Sequence, residues 1–229
     1  MPPAVLTQPG SIPRHHPLGT STGALADLRG DWEALVDEAR RTSTFAVELA
    51  ALSADELPDL LHFLAGAPAL PFHFISLHAP SKGHRLREKQ LVAMLLEVVR
   101  SVDAVVVHPD TIDDAARYSA LGSALVIENM DSRKRDGRTV AELEPYFAAL
   151  PQAGFCFDIA HAASVDDTLR EGERLLDRFG ARLRHVHVSS LDEDCHHVPL
   201  TAADEECFAA LLRRCRDVPW ILEAPLREL

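Results

Sequence analysis

A carboxylate and an imidazole follow one of the most apolar stretches of the chain. The stretch is GFCFDIAHA, residues 154–162, in which Phe155 and Phe157 indicate a buried strand that ends at Asp158. A carboxylate in such a place loses its hydration unless a cation compensates for the loss. Because Asp158 and His161 are both of types that commonly bind metal ions, this stretch predicts a metal site.

Six consecutive apolar runs end in residues of these types. The run ends are His78, His108, Glu128, Asp158, His187 and Glu223, and the loop DEDCHHVPL after the fifth of them adds Asp194, His196 and His197. Imidazole and carboxylate together suit Zn, Mn, Fe or Co. One such residue alone is readily explained by a structural role, but six successive ends of this kind indicate a shared site. His73 and His185 lie lower on their runs, and we expect a structural or solvent role for them.

The elements that position these ends alternate regularly. Eight short apolar runs are separated by seven patterns with helical spacing, which predicts parallel strands covered by helices. We therefore expect a single (β/α)8 TIM barrel, in which the site lies at the carboxyl ends of the strands. A doubly wound open sheet is the alternative, but no Gly-rich phosphate loop supports it. Residues 1–17 are interpreted as an N-terminal leader and residues 18–229 as the barrel domain.

The end of the chain predicts an unusual seam. Only Arg227, Glu228 and Leu229 follow WILEAPL, so we expect a compact barrel that lacks a normal eighth outer helix. Apolar side chains near Trp220 and Leu222 would then be exposed. A cover is expected from the leader, through Val5, Leu6 and Ile12, or from a second subunit in a homodimer.

Composition narrows the class of protein. The chain has 229 residues, of which 47% are hydrophobic, which fits one sizeable core. The net charge of -12 disfavours nucleic acid and anionic lipid as partners. The four cysteines form no C-x-x-C pair, and no run is long and apolar enough for a signal peptide or a membrane span, so we expect a cytoplasmic protein.

The strand-end motifs resemble those of a known superfamily. In order and spacing, SLHAP, VVVHPD, VIENMD, FDIAHA, VHVSS and ILEAP resemble the xylose isomerase-like TIM barrels, which include AP endonuclease family 2 (endonuclease IV) and sugar isomerases and epimerases. The resemblance runs from about residue 70 to the end and more weakly through the first two strands. It implies an enzyme that depends on one to three divalent ions, Zn or Mn.

The endonuclease IV pattern implies three ligand sets. The first is His78, His108 and Glu128; the second is Glu128, Asp158, His187 and Glu223; the third is His161 with an Asp-x-His pair. Asp194 and His196 have that spacing, but HVPL also matches an H-x-P-L stretch, which would make His197 the ligand and place Cys195 where the Asp belongs. Both registers remain open at this point.

The isomerase and epimerase branch implies a simpler site. Its single ion would be held by Glu128, Asp158, His187 and Glu223, and the two glutamates would act as acid and base beside a carbonyl. These four residues therefore do not discriminate between a hydrolase and an isomerase.

Two basic loops bear on the substrate. SKGHRLREK (residues 81–89) and DSRKRDGR (residues 131–138) follow the third and fifth strands and run against the acidic trend of the chain. They predict a small anionic substrate, bound by Lys82, Arg85, Arg133, Lys134 and Arg135.

The functional hypotheses follow from these features. Ser81 stands where the endonuclease carries a duplex-probing Tyr, so we do not expect duplex DNA as substrate. The sequence slightly favours isomerase- or epimerase-like chemistry on a sugar or sugar phosphate. The alternatives are an endonuclease IV-like multi-zinc phosphoesterase and a non-catalytic metal- or ligand-binding barrel.

Overall fold

Eight parallel strands form the centre of the molecule. The computed structural model describes residues 16–83 and 86–224. Its strands are β1 (Leu18–Ser21), β2 (Ala46–Ala50), β3 (Phe74–His78), β4 (Ala104–Val107), β5 (Leu125–Glu128), β6 (Gly154–Asp158), β7 (Leu183–Val188), β8 (Ser190–Leu191), β9 (His197–Val198) and β10 (Trp220–Leu222). All except β8 and β9 join in one closed barrel, in the order β1, β10, β7, β6, β5, β4, β3 and β2. This confirms the predicted (β/α)8 barrel and excludes the open sheet.

The barrel strands are apolar because both of their faces are covered. All residues of β2, β4, β5 and β6 are buried, as expected for parallel strands between a barrel interior and an outer layer of helices. The polar exceptions, above all the strand ends, therefore indicate the site.

Eight helices lie in the described part of the chain. They are α1 (Trp32–Thr42), α2 (Leu57–Ala65), α3 (Glu88–Val98), α4 (Ala115–Tyr118), α5 (Val140–Ala149), α6 (Ile159–Val165), α7 (Arg170–Phe179) and α8 (Ala202–Arg214). Side-chain caps begin several of them: Asp31, Thr139 and Thr201 each accept a hydrogen bond from a backbone N–H of the first turn. All eight helices precede β10.

One helix was not predicted. The sequence suggested a single helix between β6 and β7, but the chain forms both α6 and α7 there. The Asp158 carboxylate accepts a hydrogen bond from the backbone N–H of His161 at 2.7 Å and so begins α6 directly at the strand end. His161 consequently lies within the first turn of a helix that begins at the strand end.

The seam between β1 and β10 is covered at the two side chains that the missing helix would have exposed. Trp220 is 1% exposed and Leu222 is 4% exposed. The ring of His16 lies 3.6 Å from the Trp220 ring, and the Trp220 indole donates to the carbonyl of Cys215. The rest of the leader (1–15), with Val5, Leu6 and Ile12, and residues 225–229 lie outside the described residues; the homodimer stays a prediction. Within the described ranges, no helix combines the length and apolarity that crossing a membrane requires.

Candidate metal centre

Glu128 occupies the middle of the cluster at the carboxyl ends of the strands. Its Oε2 lies 3.3 Å from Nε2 of His78 and 3.4 Å from Nε2 of His108. Its Oε1 lies 3.2 Å from Nδ1 of His161 and 3.5 Å from Nδ1 of His187. The carboxylate is 1% exposed. Each oxygen therefore faces a different pair of histidines, as a carboxylate that bridges two ions would.

The first ligand set is compact. His78, His108 and Glu128 each contribute one ligand atom, and these three atoms lie within 4.8 Å of one another. His78 Nδ1 donates to the carbonyl of Ala79 at 2.9 Å, so Nε2 of the neutral ring carries no proton. This unprotonated nitrogen lies 3.1 Å from Nε2 of His108. Two imidazole nitrogens at this separation repel each other unless a proton or a metal ion lies between them.

The second ligand set shares Glu128 with the first. Glu128, Asp158 and His187 form a group with the same spacing, and Glu223 Oε1 lies 3.3 Å from Nδ1 of His187. Asn129 holds the end of β6 in place: its side-chain amide donates to the Asp158 carbonyl at 2.8 Å and accepts from the Asp158 N–H at 2.9 Å.

The third candidate group of ligand-type side chains includes His197. Asp158, His161 and His197 form a group of the same kind. Nδ1 of His197 lies 2.8 Å from the Ser189 hydroxyl and 3.3 Å from Glu223 Oε2. The antiparallel pairing of β8 with β9 folds this part of the loop back over the barrel.

Asp194 and His196 are not brought into the cluster. Both are exposed, and His196 Nδ1 lies 3.2 Å from a carboxylate oxygen of Asp192. The H-x-P-L register is therefore the one whose histidine lies beside His161, and Cys195 stands two residues before it.

The pKa values reveal a shortage of positive charge. Burial acts to lower the pKa of His161, but the charge of Asp158 and the hydrogen bond to Glu128 outweigh it and raise the pKa to about 10. Burial raises the pKa of Glu223 well above its ordinary range; His187 opposes the shift and Asp158 adds to it. Protons held on these groups neutralise carboxylates that a divalent cation would neutralise equally well.

Four buried atoms of the predicted ligand residues have no hydrogen-bond partner among the described residues. They are His108 Nδ1, Asp158 Oδ2, His187 Nδ1 and Glu223 Oε2. Orphaned polar atoms are costly in a protein interior. Three of them belong to groups that supply ligand atoms to the second and third sets, and the mixed imidazole–carboxylate donors suit Zn or Mn. The residues present therefore fit divalent metal ions.

Glu48 is the site residue that the sequence analysis missed. It lies within β2, is completely buried and places Oε2 3.0 Å from Nε2 of His187. The signal was available as one carboxylate inside the apolar run TFAVELAAL, but Glu48 does not end its strand. His185, expected to have a structural role, is also completely buried, with its Nε2 3.7 Å from the same Glu48 oxygen.

A cavity of about 690 Å³ opens over the cluster. Ligand-type side chains line its floor, and Ser81, Lys82, Arg133 and Lys134 are part of its wall. Lys82 is exposed, and no ion pair links its ammonium group to another described residue. The volume suits a small molecule.

The other basic residues predicted to bind the substrate are not free at the cavity wall as Lys82 is, or lie elsewhere. Lys134 pairs with Asp110 at 2.8 Å. Arg133 pairs with Asp131 and donates to the carbonyls of Asp194 and Cys195, so it fastens the loop that carries His197. Arg135 is exposed and is not among the residues that line the cavity, and Arg85 lies outside the described residues.

Comparison with known proteins identifies the family. The family described as a xylose isomerase-like TIM barrel matches residues 73–228, which is more than half of the chain. This protein belongs to that family. A comparison with curated proteins found no match.

Solved structures with the same fold include an endonuclease and a sugar epimerase. Endonuclease IV from Thermus thermophilus is 22% identical, with 92% of this chain and 93% of that chain covered and a TM-score of 0.57. A 3-keto-D-glucoside 4-epimerase from E. coli is 14% identical, with 93% of each chain covered and a TM-score of 0.57. The IOLI protein with a bound zinc atom is 12% identical, with coverages of 91% and 88% and a TM-score of 0.54. At these identities the similarity establishes the fold.

Proposed function

We propose that the protein is a divalent-metal-dependent hydrolase that cleaves a phosphoester bond in a small anionic substrate. The observation that carries the proposal is the position of Glu128, whose two oxygens face two separate pairs of histidines at 3.2 to 3.5 Å. The single-ion site that the epimerase resemblance implies does not include His78 and His108. Their convergence on Glu128 Oε2 favours a centre with more than one ion.

The cluster residues would hold the ions, and a lysine at the cavity wall would bind the substrate. His78, His108 and Glu128 would hold one ion; Glu128, Asp158, His187 and Glu223 a second; Asp158, His161 and His197 a third. Bound divalent ions supply Lewis acidity towards a phosphoryl group and towards the attacking water. Lys82 at the wall of the cavity attracts the anionic group and orients it over the cluster.

A small substrate is preferred over duplex DNA. The net charge of -12 opposes the phosphate contacts that duplex binding requires. Lys134 and Arg133 are already paired with Asp110 and Asp131. The cavity of about 690 Å³ accommodates a molecule the size of a sugar phosphate.

An isomerase or epimerase is the second candidate, and one observation favours it. Burial raises the pKa of Glu223 well above its ordinary range. Burial acts in the same direction on Glu128, but the charges of His187 and His108 outweigh it and hold the pKa of that carboxyl well below its ordinary range. Two carboxyl groups whose pKa values are pushed apart are typical of an acid and base pair. Proton transfer between neighbouring carbons of a sugar would use this pair.

The decisive experiment compares the two chemistries on one preparation. Protein reconstituted with Zn²⁺ or Mn²⁺ is assayed for hydrolysis of bis-p-nitrophenyl phosphate and p-nitrophenyl phosphate, and for deuterium uptake from D₂O into ketoses. Metal-dependent hydrolysis that His108→Ala lowers by at least tenfold supports the hydrolase. Deuterium uptake that survives His108→Ala and is lost in Glu223→Gln would instead establish the epimerase. Cleavage of AP-site duplex DNA at physiological salt would refute the small substrate.

A further inference from the structure

The Glu48 carboxylate lies directly behind a proposed metal ligand. Nε2 of His187 is 3.0 Å from Glu48 Oε2, while Nδ1 of the same ring faces the cluster, 3.5 Å from Glu128 and 3.3 Å from Glu223. The His187 ring therefore connects Glu48 below with the carboxylates of the cavity above. Both His187 and Glu48 are completely buried.

Strand register brings the partners of Glu48 together. Ser21 of β1 and Ser76 of β3 are the direct neighbours of Glu48 across the sheet. The hydroxyl of Ser21 donates to Oε1 at 3.2 Å, and that of Ser76 donates to Oε2 at 3.1 Å. These bonds offset part of the cost of burying the charge and hold the carboxylate in one orientation.

We propose that Glu48 is a positioning residue of the metal centre, which accepts the N–H of His187 Nε2 and thereby presents Nδ1 to a divalent ion. The inference rests on the proposed metal site. A carboxylate can only accept this hydrogen bond, so the proton of the neutral ring is kept on Nε2 and the lone pair on Nδ1. Partners of this kind orient metal-bound histidines and strengthen them as ligands.

Glu48→Gln separates this role from simple packing. The glutamine has nearly the same shape, and its oxygen still accepts from a serine. In either orientation the neutral amide is a weaker acceptor for the Nε2 proton of His187 than the carboxylate, which weakens the ring as a ligand. Where the amide N–H faces His187, it also favours the tautomer with a proton on Nδ1, which blocks the ligand atom. Glu171→Gln is the matched control, because Glu171 is also buried but accepts from the backbone N–H of Val140 between α5 and α7.

The test measures binding of Zn²⁺ and Co²⁺ by titration of the metal-free proteins. We expect Glu48→Gln to weaken binding by about 10- to 100-fold and to change the visible spectrum of the Co²⁺ form, with Glu171→Gln unchanged in both. Long-range ¹H–¹⁵N correlation on the zinc-loaded wild type, which needs no variant, should place the His187 proton on Nε2.

The outcomes distinguish this inference from the proposed function. Wild-type protein that binds neither ion overturns both proposals. Two results overturn the role of Glu48 alone. One is tight binding by the wild type with unchanged affinity in Glu48→Gln. The other is a proton on Nδ1 of His187 in the zinc-loaded wild type. If Glu48→Gln does not fold, the tautomer measurement on the wild type decides.

Discussion

Replacing Glu128 with glutamine is the most direct perturbation of the proposed centre. The substitution keeps the size of the side chain but removes its charge and one acceptor oxygen. Because each carboxylate oxygen faces its own pair of histidines at 3.2 to 3.5 Å, we expect the binding of two ions to weaken together. If Glu128 served only one ligand set, a single ion would be affected.

The burial of Glu128 sets the size of the effect. The side chain is 1% exposed, so solvent compensates little for its lost charge. Removing one partner of a buried charge pair costs about 3–5 kcal/mol. At about 1.4 kcal/mol per tenfold change, the dissociation constants should rise by roughly 10²- to 4 × 10³-fold. In a chain of this size the rise in Tm caused by saturating metal should shrink by on the order of 10 °C.

The assay combines metal content with stability. Elemental analysis after dialysis against a known free Zn²⁺ concentration counts the ions, and calorimetric melting with and without Zn²⁺ gives the shift in Tm. Glu171→Gln again serves as the control for loss of a buried glutamate. Full occupancy of both ions in Glu128→Gln would refute the bridging arrangement, and loss of one ion would show that Glu128 belongs to a single set.

Three further outcomes are expected. His197→Ala should lower metal content or affinity, whereas His196→Ala should leave both unchanged; the reverse would restore the Asp194–His196 register. Lys82→Ala should raise KM for an anionic substrate severalfold with little change in kcat. The control Arg100→Ala removes a charge after α3, at the opposite end of the barrel, and should change neither KM nor kcat. Equal effects of the two substitutions would refute a local role for Lys82. Burial lowers the pKa of His16 from 6.5 to about 4, so its contribution to stability is present above pH 6.5 and is lost as the pH falls towards 4. His16→Phe, which keeps an aromatic ring against Trp220, should therefore lose less stability than the wild type between pH 6.5 and 4 in parallel urea melts, and identical pH profiles would contradict this assignment.

Local pattern was sufficient to predict the barrel. The apolar runs and the helical spacing between them are properties of neighbouring residues, and the closed sheet confirms the architecture that they indicated. The strand ends His78, Glu128 and Asp158 were visible for the same reason, since a polar residue that ends a buried strand stands out in the sequence.

Residues whose roles depend on distant partners could not be predicted in this way. Glu48 lies in the middle of β2, and only the register of β1, β2 and β3 and the closure of the barrel bring it to Ser21, Ser76 and His187. Which of His196 and His197 lies beside His161 depends on the pairing of β8 with β9 and on the contacts of Arg133 with this loop, neither of which local spacing determines.

The sequence by itself determined the alternation of strands and helices and the ligand types at the strand ends, because hydrophobic periodicity and the cost of burying a charge act on each segment separately. Only the tertiary structure decided which side chains meet. Closure of the barrel brings His78 and His187, more than a hundred residues apart in the chain, to opposite oxygens of Glu128. Contacts of that kind depend on strand register and loop pairing across the whole fold, and no single stretch of the sequence contains that information.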